Sequence, residues 1–262
     1  MATYLDRILA RHRDVAATDQ RRLAHLVEQA CAQPAVRPFA GSLRQAVERG
    51  ELGVISEIKR RSPSKGDLNA DLDPAGLALV YAAGGAAALS VLTDEEFFGG
   101  SVHDLQAARA AVALPVLRKD FTVDPRDVCD ARLMGADCVL LIAAALSPSE
   151  LIDMHALADE IGIEVLVEIH DERELDAALA AGARIVGVNQ RDLVTFQVDH
   201  ARAVRMAGVI PDHVVKVAES GVRGAADASE LQRAGYDAVL VGETLVTAAD
   251  PAAVLGQLRH PR

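Results

Sequence analysis

From residue 53 onward the chain alternates two kinds of segment. Short apolar runs rich in Val, Ile and Leu read as strands buried on both faces. Longer segments whose apolar residues recur every 3.6 positions, with charges on the opposite side, read as helices. The pattern predicts strands at 53–59, 87–92, 115–118, 138–142, 164–169, 185–189, 214–219 and 238–242. It predicts helices at 74–83, 102–111, 125–134, 148–161, 172–181, 200–207, 225–234 and 252–258. Asp73-Pro74, Asp124-Pro125 and Ser147-Pro148 each set a capping side chain before a proline at the first helical position. Gly85, Gly135, Gly162, Gly182, Gly208 and Gly235 fall where helices should stop, as left-handed caps. Gly135-Ala136-Asp137-Cys138-Val139-Leu140 and Gly235-Tyr236-Asp237-Ala238-Val239-Leu240 repeat one strand-helix junction almost word for word.

Eight such units favour a closed parallel (β/α)8 TIM barrel over an open doubly wound sheet, and no G-x-G-x-x-G follows the first strand. Residues 1–50 fall outside the repeat. They predict helices at 4–12, 21–32 and 41–50, with Leu5, Ile8, Leu9, Leu23, Leu26 and Val27 as a burial face. The expectation is a helical extension over 1–50, packed on a catalytic barrel over 51–262 in a single domain. An extension of that length is more than a plug needs, so it is expected near the catalytic mouth, covering the substrate.

Composition narrows the functions. The 262 residues carry 27 Lys and Arg against 38 Asp and Glu, a formal charge of −11, which argues against a nucleic-acid partner. No apolar run approaches the roughly 20 residues of a membrane span, and the charged N-terminus offers no signal peptide. The three cysteines, Cys31, Cys129 and Cys138, lack metal or disulfide spacing and read as buried free thiols in a cytoplasmic protein. With no Trp, five Phe and three Tyr, the core must be aliphatic. Asp67-x-Asn69-x-Asp71 opens like a calcium loop, but Leu72 replaces the turn glycine and Ala78 the closing Glu. There is no H-x-x-x-H or G-x-S-x-G, so neither a metal site nor a serine triad is expected.

In a barrel, chemistry collects at the carboxyl ends of the strands. Glu57 and Lys59 end the first predicted strand, two apart and so on one face, with Ser62 in the loop. Lys119 follows the third, Glu168 ends the fifth, Asn189 ends the sixth with Arg191 after it, Glu219 ends the seventh, and Gly242-Glu243 ends the eighth. Each has a bland alternative: a rim ion pair, a solvated loop lysine, a structural partner, a turn residue. Together, on six strands, they point to a site. Lys216 has the opposite parity to Glu219 and is assigned to the helix-facing side. Ser220-Gly221 and Gly242-Glu243, after strands seven and eight, suit backbone N–H contacts to a phosphate, with Arg191 and Lys59 as cations nearby. Lysines and glutamates around an anion site suit proton transfer on a phosphorylated substrate, or condensation at a carbonyl.

Six motifs carry a resemblance. Ser56-Glu57-Ile58-Lys59-Arg60-Arg61-Ser62-Pro63-Ser64 resembles the first-strand signature of the indole-3-glycerol phosphate synthase family. Leu92 to Ser101, Leu117 to Phe121, Gly187 to Leu193, Val217 to Gly221 and Leu240 to Glu243 follow in the same order. The resemblance spans nearly the whole chain. It implies closure of 1-(2-carboxyphenylamino)-1-deoxyribulose 5-phosphate to indole-3-glycerol phosphate, a step of tryptophan biosynthesis, with loss of CO2 and water and with no metal or cofactor. It implies Lys119 as general acid and Glu168 as acid/base in the dehydration. Glu57, Asn189 and Glu219 would orient the lysines and the substrate hydroxyls, and Lys59 would hold an anionic end. Ser62 lies in the signature loop; Ser220, Gly221, Gly242, Glu243 and Arg191 would line the phosphate site. Phe98, Leu140 and Leu193 would sandwich the aromatic ring. His170, after Glu168, is a variable position. The expected means of proton donation is a Lys119 pKa depressed by neighbouring cations. Another phosphate-binding barrel with a Schiff-base lysine, or a catalytically inactive scaffold, would share many of these features.

Overall fold

A computed structural model describes residues 3–62, 65–191 and 197–261. Eight parallel strands close a barrel: β1 Gly53–Ile58, β2 Ala88–Leu92, β3 Val116–Lys119, β4 Cys138–Ile142, β5 Glu164–Ile169, β6 Ile185–Asn189, β7 Val215–Glu219 and β8 Ala238–Val241. Each strand pairs with its neighbours in sequence, and β8 returns to β1 with Gly53 opposite Ala238. The helices Pro74–Ala83, Val102–Ala111, Pro148–Ile161, His200–Ala207 and Ala225–Ala234 match the pattern residue for residue. Asp73, Asp124 and Ser147 cap their helices as their spacing implies, each accepting a backbone N–H of the first turn.

One cap is different. Gly208 sits at φ −77°, not in the left-handed region. The chain makes a further right-handed turn there, with Val209 N–H donating to Met206 O at 3.1 Å. The short elements Arg61–Ser62 with Gly66–Asp67, Glu95–Phe98, Ala143–Ala145 and Glu243–Val246 were not legible, because two to four residues are too few for a period.

Strand parity builds two apolar layers. Ile55, Leu117, Leu140, Leu166, Val217 and Leu240 fill the barrel interior. Val54, Leu89, Val139, Val167, Val186 and Val239 belong to the layer between strands and helices. Lys216 is on this outer side, donating to Ala207 O (3.1 Å) and Asp212 Oδ1 (3.2 Å).

The N-terminal segment forms α1 Tyr4–Thr18, α2 Leu23–Cys31 and α3 Phe39–Glu48. α3 buries Phe39, Ala40, Leu43 and Ala46 in the interior cluster. The N–H groups of Phe39 and Ala40 donate to Glu164 at 2.7 and 2.9 Å, at the start of β5. So α3 plugs the amino end, and the expectation of a place at the mouth fails for it. α1 goes the other way: Tyr4, Leu5 and Ile8 line the cavity at the opposite end. Leu23 is exposed, because α2 turns only Leu26 and Ala30 fully inward. Cys129 and Cys138 are buried free thiols, but Cys31, at the end of α2, is exposed. Among the described residues no helix is long and apolar enough to cross a membrane.

Candidate active site

The period of two along each strand explains how the site assembles. Successive inward positions read Ile55 then Glu57, Leu117 then Lys119, Leu166 then Glu168, Gly187 then Asn189, Val217 then Glu219, and Leu240 then Gly242. The lower position builds the apolar core and the last one opens on a cavity of about 460 Å³. That cavity is lined by every candidate the sequence singled out, except Leu193, which lies outside the described residues. Glu57, Lys59, Lys119, Glu168, Asn189 and Glu219 form its polar part, and Phe98 and Leu140 belong to its apolar part. Ser62, Arg191, Ser220, Gly221, Gly242 and Glu243 complete the set.

Lys119 Nζ donates to Glu168 Oε2 at 2.9 Å and lies 3.6 Å from Glu219 Oε2. The other oxygen of Glu168 accepts from Asn189 Nδ2 at 2.9 Å. Lys59 Nζ donates to Glu57 Oε1. The glutamates are almost wholly buried, at 4% (Glu57), 2% (Glu168) and 1% (Glu219) exposure. Two polar atoms on the wall, Glu219 Oε1 and Ser62 Oγ, have no hydrogen-bond partner among the described residues. A buried oxygen left unpaired costs stability, and on a cavity wall it is open to pairing with a ligand. Close approaches call for glycine at the site. A Cβ on Gly187 would strike Glu219 Oε1, and one on Gly242 would strike Glu57 Oε1.

The electrostatics correct the sequence reading of Lys119. Its neighbours are carboxylates, not cations. Burial alone would push the ammonium down, but Glu168, Glu219 and Glu57 outweigh it and hold the pKa above the ordinary lysine value. Burial works against the charge of Glu168, yet Lys119 and His170 keep this carboxyl below its usual range. Glu219 goes the other way: burial and the nearby Glu168 and Glu57 push it up. Two adjacent carboxyls are thus pushed in opposite directions, the arrangement expected where one is to accept a proton.

The turns after β7 and β8 are tightly built. Ser220 (φ 66°) and Gly221 (φ 75°) are consecutive left-handed residues, costly for a serine. Gln190, fully buried, locks the turn by donating to Ser220 O at 2.9 Å. Thr244 Oγ1 donates to Val222 O (2.7 Å) and ties the two loops together.

Sequence reasoning missed several wall residues: Tyr4, Leu5 and Ile8 from α1, Asp94, Phe121, Val198 and His200, and the cations Lys65 and Arg223. Lys65 and Arg223 lie in loops after β1 and β7, which was the available signal. α1 carries no such signal; only its docking places it. His12 Nε2 lies 3.0 Å from Asp94 Oδ2 and 3.8 Å from Asp120 Oδ1. Its ring packs on Phe121 at 5.6 Å between centroids, and Phe121 packs on Phe98 at 6.2 Å. The same carboxylates are fixed from the barrel: Asp94 accepts from the N–H groups of Phe97 and Phe98, and Asp120 from Arg118 and Thr93.

Comparison with known proteins agrees with this geometry. The family model for indole-3-glycerol phosphate synthase matches residues 5–258. A relative from Streptomyces coelicolor, indole-3-glycerol phosphate synthase 2, is 53% identical over 231 residues, 88% of each chain. The Beutenbergia cavernae indole-3-glycerol phosphate synthase is 49% identical over 98% of this chain and 94% of its own. Among solved structures, the tryptophan synthase alpha subunit of Legionella pneumophila superposes with a TM-score of 0.62 at 12% identity, covering 84% of this chain and 96% of that one. This likeness speaks for the barrel alone. The family match over nearly the whole length and relatives at about half identity establish that this chain belongs to the indole-3-glycerol phosphate synthase family.

Proposed function

We propose that this chain closes 1-(2-carboxyphenylamino)-1-deoxyribulose 5-phosphate to indole-3-glycerol phosphate, and that its strand-end lysines and glutamates carry the proton transfers. The observation that carries the reading is Lys119, inside the cavity and braced by Glu168 and Glu219. The aryl carbon that bears the carboxylate attacks the ribulose carbonyl carbon. Lys119 donates its proton to the carbonyl oxygen as negative charge develops there, which avoids an isolated alkoxide. Loss of CO2 then restores the benzene ring. The hydroxyl leaves as water with a second proton from an ammonium of the cavity, and Glu168 removes a proton from the carbon beside nitrogen. Glu168 therefore enters as a base, in keeping with its lowered pKa. A lysine held charged by the acidic groups around it, Glu168 foremost, is a poor imine-forming nucleophile, which disfavours the Schiff-base alternative.

Lys59, steadied by Glu57, holds an anionic end of the substrate in this reading. Asn189 and Glu219 position Glu168 and Lys119. The turns at Ser220-Gly221 and Gly242-Glu243, with Arg191, take the phosphate, and Phe98 and Leu140 flank the aromatic ring. The partner is thus a small phosphorylated anion, met in the cytoplasm, and residues 1–50 act with the barrel as one catalytic domain. Indole fluorescence on adding the carboxyphenylamino substrate tests the activity. No indole product from the wild-type chain would refute it.

A further inference from the structure

Glu168 has a third neighbour behind it. His170, two residues along the chain and absent from the cavity wall, places ring Nε2 3.8 Å from Glu168 Oε1. Its Nδ1 lies 3.1 Å from Glu174 Oε2, which also accepts the His170 backbone N–H at 2.6 Å. A carboxylate oxygen can only accept, so Nδ1 carries a proton. Glu174 is itself held at the start of the helix Glu172–Ala180, its N–H donating to the cap Asp171 at 2.9 Å.

That fixes the question on Nε2, which is buried and has no hydrogen-bond partner among the described residues. In a neutral ring, Nε2 would aim a lone pair at a carboxylate oxygen, acceptor against acceptor in a water-poor site. In the imidazolium it aims an N–H. Across 3.8 Å the second favours an ionised Glu168 and the first does not. The groups facing the ring come from three elements: Glu168 on β5, Glu174 on the following helix and Arg202 on the helix His200–Ala207. Burial opposes the second proton, Glu174 and Glu168 favour it, and Arg202 opposes it. The balance raises the ring above the ordinary histidine value.

We propose that His170, clamped by Glu174, is a positioning residue that keeps Glu168 ionised and aimed for its work as a base. The proposal rests on the reading of Glu168 as that base. It makes turnover depend on the charge of a side chain outside the cavity.

The test is the ratio of wild-type kcat to His170→Asn kcat, followed across the pH range in which a histidine titrates. Titrations of the lysines and the other glutamates are common to both proteins and cancel in the ratio. The expected ratio is roughly tenfold at the acid end, a modest part of the roughly 10²–10⁴ that a positioned acid or base contributes. It should fall toward one as His170 loses its charge, with little change in KM. A ratio that stays flat across the range would mean a structural role and overturn the proposal. If His170→Asn does not fold, Glu174→Gln carries the same test with a smaller ratio. In parallel, the His170 ring titration followed by NMR should move to lower pH in Glu168→Gln, and an unmoved titration also overturns the proposal. Glu168→Gln separates the two claims. Near-normal turnover in that variant would remove Glu168 as base, whereas an inactive Glu168→Gln with a flat His170 ratio would remove only the role of His170.

Discussion

The two ends of this barrel treat buried carboxylates in opposite ways. At the amino end Asp137 is wholly buried and fully occupied. It accepts from the N–H groups of Arg37 and Val116, both at 2.9 Å, and from Arg109 Nη2 at 2.9 Å. Glu164, beside it, receives two N–H groups from α3, and α3 seals that end with Phe39 and Leu43. At the carboxyl end Glu219 is just as deeply buried, yet one of its oxygens, lying against Gly187, has no hydrogen-bond partner among the described residues. Burial of charge is common to both ends, so it does not by itself mark function. What separates them is leftover hydrogen-bonding capacity on a residue that lines a cavity. The amino end spends its polar groups on closing the fold, whereas the carboxyl end withholds some of its own for a ligand.

Four experiments would break or sharpen that contrast. The largest effect belongs to Lys119→Met at the carboxyl end. Loss of one positioned acid lowers kcat by about 10²–10⁴ while the protein stays folded. Turnover within a few fold of wild type would end its assignment. Asp137→Ala at the amino end should do the reverse, costing about 3 kcal/mol of stability in denaturant titration because its N–H and arginine donors lose their acceptor. Its folded fraction should keep normal kcat. A third test removes α1, residues 3–18, and leaves the α3 plug intact. Loss of the apolar cover from Tyr4, Leu5 and Ile8 should raise KM by roughly tenfold with the barrel folded. An unchanged KM would make α1 mere packing.

The smallest effect is electrostatic and concerns how α1 is held. Burial opposes the charge on His12, but Asp94 and Asp120 raise its pKa above the ordinary histidine value. A raised histidine contributes stability that is full below its unfolded-state pKa, about 6.5, and is lost as pH climbs through the folded value. Wild type should therefore lose about 1–2 °C of Tm over that window relative to His12→Gln. Equal slopes for the two proteins would show that the His12 charge does not hold α1.

Much of the barrel was legible because its signals are local. Five helices match the pattern at both ends, and three strands, β4, β5 and β6, do so too. Proline after a capping residue and an apolar run bounded by glycine need only neighbouring residues to act. The inward alternation that ends in Glu57, Lys119, Glu168, Asn189 and Glu219 is equally local, since a period of two sets which face a side chain takes. What spacing did not carry is electrostatic sign. The pKa of Lys119 depends on which charges face it across the barrel, and those lie on β1, β5 and β7, far apart in the chain. The Glu174–His170–Glu168 row escaped for the same reason. A histidine after a strand end is ordinary in sequence, and only the packed ring shows which atom faces which.

The N-terminal segment marks the boundary between the two kinds of knowledge. Amphipathic spacing determined that residues before the first strand form helices with faces to bury. Which end of the barrel each face would meet was decided by tertiary contacts: Glu164 and the interior layer for α3, Asp94 and Asp120 for α1. The physical reason is range. Helix and strand periods come from backbone geometry over a few residues, whereas docking and protonation come from groups that only the closed barrel brings within a few ångströms.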